Sequence, residues 1–206
     1  MKSRNKLLSG LMVISLFMIY AEGFAQAGIP KLATDISPLL IGESVAKGEL
    51  YDGEGNKVTI KSIVAKKPTV IIVYRGGWCP YCNLHMAELQ EIEKDILALG
   101  YQIVGVSPDS KEYLNESTEK IKLNYSLFSD TDLTVIKSWG LAFEAPDRNK
   151  QMLAIRSQNQ NPGVLPVPAV FVTNREGIIQ FEYINPNYNT RMSGEMLKAV
   201  LKTLKN

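Results

Sequence analysis

The sequence predicts an α/β fold in which helices cover both faces of a central mixed β-sheet. A continuous apolar run at residues 70–74 is typical of a strand that is buried on both faces. Helical patterns then alternate with further strands, which indicates parallel neighbours joined by crossover helices. Near the end of the chain, two strands follow each other through a short turn at residues 174–177, which adds antiparallel members to the sheet.

The elements are expected in the order β-α-β-α, followed by β-β-α. A turn signal at residues 52–56 predicts a hairpin ahead of them, between residues 49–51 and 57–60. The main strands are predicted at residues 70–74, 101–106, 126–128, 169–173 and 178–183, and the helices at 80–99, 108–123, 131–139, 147–157 and 193–204. The helix at 147–157 lies in a segment, 143–164, that has the character of an insertion.

The N-terminal 27 residues have the pattern of a targeting segment. Three basic residues precede an uncharged, mostly apolar stretch at residues 7–21, and Ala25-Gln26-Ala27 fits a small-x-small cleavage site. The apolar stretch is shorter than the ~20 residues that a membrane-spanning helix needs. We therefore expect residues 1–27 to be a cleaved signal peptide and residues 28–206 to form one domain. The expected location is the bacterial periplasm; the alternative is a membrane tether formed by an uncleaved N-terminal segment.

Composition and charge argue against several classes of function. Removing the signal segment takes away three of 23 basic and one of 21 acidic residues, so 20 of each remain. This balance gives no support for nucleic-acid binding or for an anionic membrane surface. A structural metal site is disfavoured because the chain has two cysteines and one histidine, fewer thiol and imidazole ligands than a structural zinc site uses. No metal and no cofactor are expected.

The two cysteines, Cys79 and Cys82, point to thiol chemistry. They stand in the run Trp78-Cys79-Pro80-Tyr81-Cys82, directly after the first buried strand and at the start of a predicted helix. A disulfide between them would close a loop of only two intervening residues, which constrains little of the unfolded chain. A redox role is therefore favoured over a purely structural disulfide.

The position of each cysteine predicts a different task. Pro80 suits the first helical position, so Cys79 is expected at the helix N-terminus, where unpaired N–H groups and the helix dipole favour the thiolate. Cys82 begins the buried stripe of this helix, and burial raises a thiol pKa. We expect Cys79 to be solvent-accessible and to attack, and Cys82 to resolve the adduct.

Neighbouring side chains are weaker candidates. Trp78 and Tyr81 flank the pair, with Tyr81 expected to be exposed and Trp78 either packed at the sheet edge or forming a rim for a partner. Arg75 and Arg191 are surface charges by default, but Arg75 could also stabilise a thiolate. His85 is expected to be a partly exposed helix residue rather than a catalytic base.

The residues Arg75-Gly-Gly-Trp-Cys79-Pro-Tyr-Cys82-Asn-Leu resemble the peroxiredoxin-like branch of the alkyl hydroperoxide reductase/thiol-specific antioxidant (AhpC/TSA) family. Further matches lie at residues 40–43, 52–56, 167–172, 174–177 and 183–188, so the resemblance extends over about residues 36–204. It implies a thioredoxin-like fold. It also implies a peroxidase in which Cys79 is the attacking and Cys82 the resolving thiol, with a hydroperoxide substrate and a thioredoxin-like or other dithiol reductant.

The resemblance adds two site residues. Pro168 matches the cis-proline of thioredoxin-like folds, although a proline at a strand start would by itself favour the trans bond. Arg191 lies near an arginine that many peroxiredoxins carry. The chain differs from ordinary peroxiredoxins in having Ile72 and Gly76 where they carry a proline and a hydroxyl residue.

Three functions follow from these residues. The first is a thiol-dependent peroxidase. The second is an exported oxidoreductase that exchanges protein disulfides without peroxidase activity, which the glutaredoxin-like Cys-Pro-Tyr-Cys run favours. The third is a non-catalytic binding module of the same fold.

Overall fold

The computed structural model describes residues 28–161 and 163–205, so the predicted signal peptide lies outside the described residues. The strands are β1 (Glu49–Tyr51), β2 (Lys57–Thr59), β3 (Thr69–Val73), β4 (Gln102–Ser107), β5 (Ser126–Ser129), β6 (Ala142–Glu144), β7 (Val164–Pro166), β8 (Ala169–Thr173) and β9 (Ile179–Ile184). The helices are α1 (Ile60–Val64), α2 (Pro80–Glu91), α3 (Glu93–Ala98), α4 (Lys111–Ile121), α5 (Thr134–Ser138), α6 (Asp147–Arg156) and α7 (Gly194–Lys205). Within the described part of the chain, no helix combines the length and apolar character needed to cross a membrane.

Seven strands form the central sheet in the order β2-β1-β5-β4-β3-β8-β9. The three central strands β3, β4 and β5 are parallel, and the outer pairs are antiparallel. This mixed sheet confirms the predicted fold class. β3 is buried along its whole length, as its uninterrupted apolar run predicts.

Two apolar clusters cover the two faces of the sheet. One contains α1 and α5 and includes Trp139, whose ring packs edge-on against Phe171. The other contains α2, α3, α4 and α7 and includes Cys79 and Cys82. Because α2 begins just beyond the end of β3 and its stripe packs on the sheet, the cysteine pair lies at the edge of this second cluster.

The structure differs from the sequence prediction in three places. The predicted helix at 80–99 is broken at Ile92, where the backbone leaves helical geometry although neither glycine nor proline is present. Helix α1 was not predicted; the Thr59 side chain caps it by accepting from the Ser62 N–H at 3.1 Å. The predicted insertion contains the expected helix α6, but its ends also pair as the small β6–β7 sheet.

Candidate active site

The segment between β3 and α2 builds the site. Cys79 is the N-cap residue of α2 and Pro80 is the first helical residue, as predicted. The Cys79 carbonyl accepts from the N–H groups of Cys82 and Asn83, both at 3.1 Å, which starts the helix. Cys82 then lies one turn into the helix, on its buried side, and both thiols are free.

The two thiols have opposite ionisation. A hydrogen bond from the Cys82 thiol, and next the Cys82 backbone N–H and the charges of Arg75 and Arg191, outweigh desolvation and lower the pKa of Cys79 to about 6. Burial is the main cause that raises the pKa of Cys82 well above its ordinary value. At neutral pH, Cys79 is therefore the thiolate and Cys82 the thiol, the division of tasks that the sequence predicts.

Cys79 is less accessible to solvent than expected. Its side chain is only 1% exposed, so the expectation of a solvent-accessible sulfur is wrong for this conformation. Tyr81 is 39% exposed, as expected, and Trp78 is half-buried. The thiolate thus lies just below a surface that aromatic side chains partly form.

Both arginines approach the redox pair. Arg75 is 6% exposed rather than a surface charge, and its guanidinium lies between the rings of Trp78 and Tyr188, at 4.9 and 4.2 Å from the ring centroids. Its buried Nε has no hydrogen-bond partner among the described residues. The Arg191 Nη2 lies 3.5 Å from the Cys82 Sγ. Two cations therefore flank the sulfur atoms, which favours an anion between them.

The loop at residues 185–191 brings Tyr188 and Arg191 to the site. It follows β9, and its Tyr188 packs edge-on against Tyr81 with ring centroids 5.8 Å apart. Because Tyr188 also stacks on Arg75, the loop contacts residues on both sides of Cys79 in the chain. From the sequence, residues 183–188 are recognisable only as part of the family pattern, because nothing local in a loop tyrosine indicates its tertiary contact.

Pro168 and His85 line the same small cavity as Arg191. The expected cis bond before Pro168 is wrong, because no peptide bond of the described residues is cis. His85 is 5% exposed, so the expectation that it is partly exposed is also wrong. Burial, and then the charge of Arg191, lower the pKa of His85 to about 4. His85 is therefore a neutral core residue at physiological pH and a poor proton acceptor.

The position of the usual peroxiredoxin hydroxyl is occupied by Gly76 for a steric reason. Gly76 has φ +132°, a conformation that side chains rarely adopt, and a Cβ there would lie 2.5 Å from the Trp78 Nε1. The turn before Cys79 therefore has no room for a serine or threonine in this conformation. The hydroxyl residue that the family resemblance implies is therefore absent from this position.

Comparison with known proteins places this site in a family. The model of the AhpC/TSA family matches residues 41–182. Chloroplastic peroxiredoxin Q of Sedum lineare is 27% identical over 187 residues, which are 90% of this chain and 91% of that protein. Peroxiredoxin Bcp of Escherichia coli (strain K12) is 26% identical over 106 residues, 52% of this chain and 67% of the relative.

Solved structures agree on the fold. The crystal structure of peroxidoxin BcpB from Mycobacterium tuberculosis superimposes with a TM-score of 0.65 at 18% identity, covering 81% of this chain and 98% of the other. A peroxiredoxin Q structure from Xanthomonas campestris gives a TM-score of 0.63, with coverages of 82% and 98%. The fold is therefore the thioredoxin-like fold of peroxiredoxins. Because the family model covers more than half of the sequence, the chain belongs to the AhpC/TSA family.

Proposed function

We propose that this protein is a thiol-dependent peroxidase in which Cys79 attacks a hydroperoxide and Cys82 resolves the product as a disulfide. The observation that carries the proposal is the placement of a free Cys79 at the N-cap of α2 with a free, buried Cys82 one turn later. This placement lowers the pKa of Cys79 and raises that of Cys82. The peroxiredoxin relatives favour this function over disulfide exchange and over a non-catalytic binding module.

The first step consumes one peroxide bond. The Cys79 thiolate attacks the terminal oxygen of the hydroperoxide, an S–O bond forms, and the O–O bond breaks. The alkoxide or hydroxide that leaves takes up the peroxide proton, so the products are an alcohol or water and the sulfenate of Cys79. The sulfur is oxidised by two electrons and the peroxide is reduced by two.

The second step joins the two sulfur atoms. After the Cys79 sulfenate takes a proton from solvent, the Cys82 sulfur attacks the resulting sulfenic acid, and the S–O bond breaks as the S–S bond forms. The proton of Cys82 leaves with the hydroxyl as water. The Cys82 N–H donates to the Cys79 carbonyl at 3.1 Å at the start of α2, so the resolving residue is beside the attacking one.

Charge stabilisation is assigned to the two arginines. With glycine at position 76, no side-chain hydroxyl of that residue can hold the peroxide. Within residues 28–161 and 163–205 the Arg75 Nε has no hydrogen-bond partner, and the Arg191 Nη2 lies 3.5 Å from the Cys82 Sγ, so both cations can face the negative charge that develops on the leaving oxygen. Their position supports them as binding groups for the peroxide.

The recycling partner is proposed to be a dithiol protein of the thioredoxin type. The Cys79–Cys82 disulfide is reduced when a partner thiolate attacks one sulfur, forms a mixed disulfide, and is released by its own second thiol. Pro80 and Tyr81 are exposed on α2 beside the pair, which gives a partner a surface to approach.

We propose export to the periplasm on the strength of residues 1–27 alone. A basic segment, an apolar stretch and a small-x-small site support cleavage after Ala27. Fractionation of expressing bacteria and N-terminal sequencing of the mature chain test this: a mature protein that begins at Gly28 in the periplasmic fraction is expected, and an intact N-terminus in the membrane fraction would favour the tether.

The deciding experiment measures oxidation of the reduced, mature protein by hydrogen peroxide and by an alkyl hydroperoxide in a stopped-flow instrument. We expect a rate far above that of a free thiol of similar pKa, loss of that rate in Cys79→Ser, and a sulfenic acid trapped by dimedone in Cys82→Ser. If the wild-type rate equals that of a free thiol while the protein still reduces or oxidises protein disulfides, the exchange function is correct instead.

A further inference from the structure

A buried carboxylate connects the redox turn to a distant helix. Asp109 follows β4, and its Oδ2 accepts from the Gly77 N–H at 2.7 Å. The same carboxylate accepts two hydrogen bonds from Arg156, from Nε at 3.3 Å and from Nη2 at 3.1 Å. Asp109 is 1% exposed. The helix predicted at 108–123 includes Asp109, but in the structure this residue precedes α4 and its carboxylate accepts from the turn before Cys79.

Arg156 is itself held on several sides. It is the last residue of α6, in the segment that the sequence analysis considered an insertion. Its Nη1 lies 3.5 Å from the Glu116 carboxylate, and its guanidinium lies 3.9 Å from the centroid of the Tyr113 ring. Its backbone carbonyl accepts from the Ser110 N–H at 2.7 Å. The guanidinium therefore has a fixed position from which it orients the Asp109 carboxylate.

The turn that receives this carboxylate leads directly into Cys79. The Gly76 carbonyl accepts from the Cys79 N–H at 3.1 Å, and the Gly77 carbonyl accepts from the Asn83 side chain at 2.9 Å. A Cβ on Gly76 would lie 2.7 Å from the Asp109 Oδ1, and one on Gly77 would collide with the Ser117 hydroxyl. The turn thus fits closely between α2, α4 and the Asp109 carboxylate.

We propose that Asp109 and Arg156 are positioning residues of the redox centre, which hold the Gly76–Gly77 turn so that the Cys79 sulfur stays aligned with its donors on α2. The inference rests on the proposed role of Cys79 as the attacking thiolate. It gives the 143–164 segment a task, because this segment supplies the arginine that anchors the carboxylate. Neither residue touches the reacting atoms.

The sign of the effect separates positioning from simple electrostatics. Asp109 is a negative charge near the site, so its removal alone would favour the Cys79 thiolate and lower the pKa of that thiol. If the carboxylate acts by holding the turn, its removal loosens the hydrogen bonds that Cys79 receives, and the pKa of the thiol rises. A general loss of stability would do neither while the protein remains folded.

The test measures the alkylation rate of Cys79 by iodoacetamide between pH 4.5 and 9.5 in the reduced full-length protein, with the modified peptide identified by mass spectrometry. The pH midpoint of the profile reports the pKa of the Cys79 thiol. The plateau rate at high pH reports how accessible the Cys79 sulfur is to iodoacetamide. The variants are Asp109→Ala and Arg156→Lys. The matched control is Asp130→Asn, since Asp130 is also a buried carboxylate that accepts from backbone N–H groups, those of Val135 and Ile136, but lies at α5.

We expect Asp109→Ala to raise the midpoint by about one pH unit, which slows alkylation near pH 5.5 about tenfold. Arg156→Lys keeps the charge but loses the two-pronged contact, so a smaller rise of about half a unit is expected. Asp130→Asn should leave the midpoint unchanged. If Asp109→Ala does not fold, Arg156→Lys carries the decision.

An unchanged or lowered midpoint in the folded variants would overturn the proposal, and so would an equal rise in Asp130→Asn. Because the readout is alkylation rather than peroxide turnover, failure of the peroxidase function does not change it. A protein with no peroxidase activity but a raised midpoint in Asp109→Ala would lose the proposed function and keep the positioning role.

Discussion

At the scale of single residues, the neighbouring thiol of Cys82 has the largest share in lowering the pKa of Cys79. The Cys82 thiol donates to the Cys79 sulfur, and this bond is the largest cause that lowers the pKa of Cys79. The arginines add a smaller contribution from their charges. Cys82 thus has two successive tasks, since it first stabilises the thiolate and later captures the oxidised sulfur.

Replacing Cys82 separates these tasks. In Cys82→Ala the donor is lost, so the pKa of Cys79 should rise from about 6 toward its ordinary value. A rise of two units would leave about a tenth of the thiol ionised at pH 7, a roughly tenfold loss of thiolate. Cys82→Ser keeps a hydroxyl donor and should show a smaller rise. The pH dependence of Cys79 alkylation measures both, and identical midpoints for the two variants would contradict this account.

At the scale of secondary structure, the short helix α5 is supported by the buried carboxylate of Asp130. Helix α5 has five residues, too few to be stable alone. Asp130 supports it by accepting from the N–H groups of Val135 at 3.2 Å and Ile136 at 2.7 Å. Burial nevertheless dominates and raises the pKa of Asp130 to about 7, with the Asp132 charge acting in the same direction.

This raised pKa predicts a pH-dependent stability. Between the ordinary pKa of an aspartate and pH 7, the folded protein binds more protons at Asp130 than the unfolded chain does. The proton bound by the Asp130 carboxyl therefore stabilises the folded protein at low pH, and this stabilisation is lost as the pH rises toward and through 7. The free energy of unfolding should fall by ~2–4 kcal/mol from this group over that range.

Urea unfolding of wild type and Asp130→Asn at pH 4.5, 6 and 7.5 checks the prediction. The difference in unfolding free energy between the two proteins isolates Asp130 from Asp109, whose pKa burial also raises. We expect Asp130→Asn to be less stable than the wild type at low pH, because the asparagine side chain cannot accept from both the Val135 and the Ile136 N–H groups. The unfolding free energy of this variant should also fall less than that of the wild type as the pH rises. Parallel pH curves for the two proteins would show that Asp130 does not titrate in this range.

At the scale of the whole molecule, the site is assembled from four distant parts of the chain. The cysteines come from the start of α2, Asp109 from the end of β4, Arg156 from α6, and Tyr188 and Arg191 from the loop after β9. This assembly leaves Cys79 almost fully covered. Part of this cover is the 185–191 loop, whose Tyr188 stacks on Arg75 and packs against Tyr81.

Loosening that stack should expose the thiolate. Tyr188→Ala removes the contacts to Arg75 and Tyr81, so we expect the plateau alkylation rate of Cys79 to rise about three- to tenfold with little change in the pH midpoint. Tyr51→Ala, an exposed tyrosine on β1, is the matched control and should change neither quantity. An unchanged plateau in Tyr188→Ala would mean that other groups control access.

The sheet, most of the helices and the redox pair can be predicted from the amino-acid sequence, because these features depend on local patterns. The apolar run of β3 predicts a buried strand. A Cys-Pro-Tyr-Cys run at a helix start predicts one activated thiol at the N-terminus and one thiol on the buried side of the helix. Three features depend on the tertiary structure: the low solvent exposure of Cys79, the trans bond before Pro168 and the burial of His85. The contacts of Asp109, Arg156 and Tyr188 also depend on the tertiary structure. Residues tens of positions away supply their partners, and no local spacing encodes such contacts.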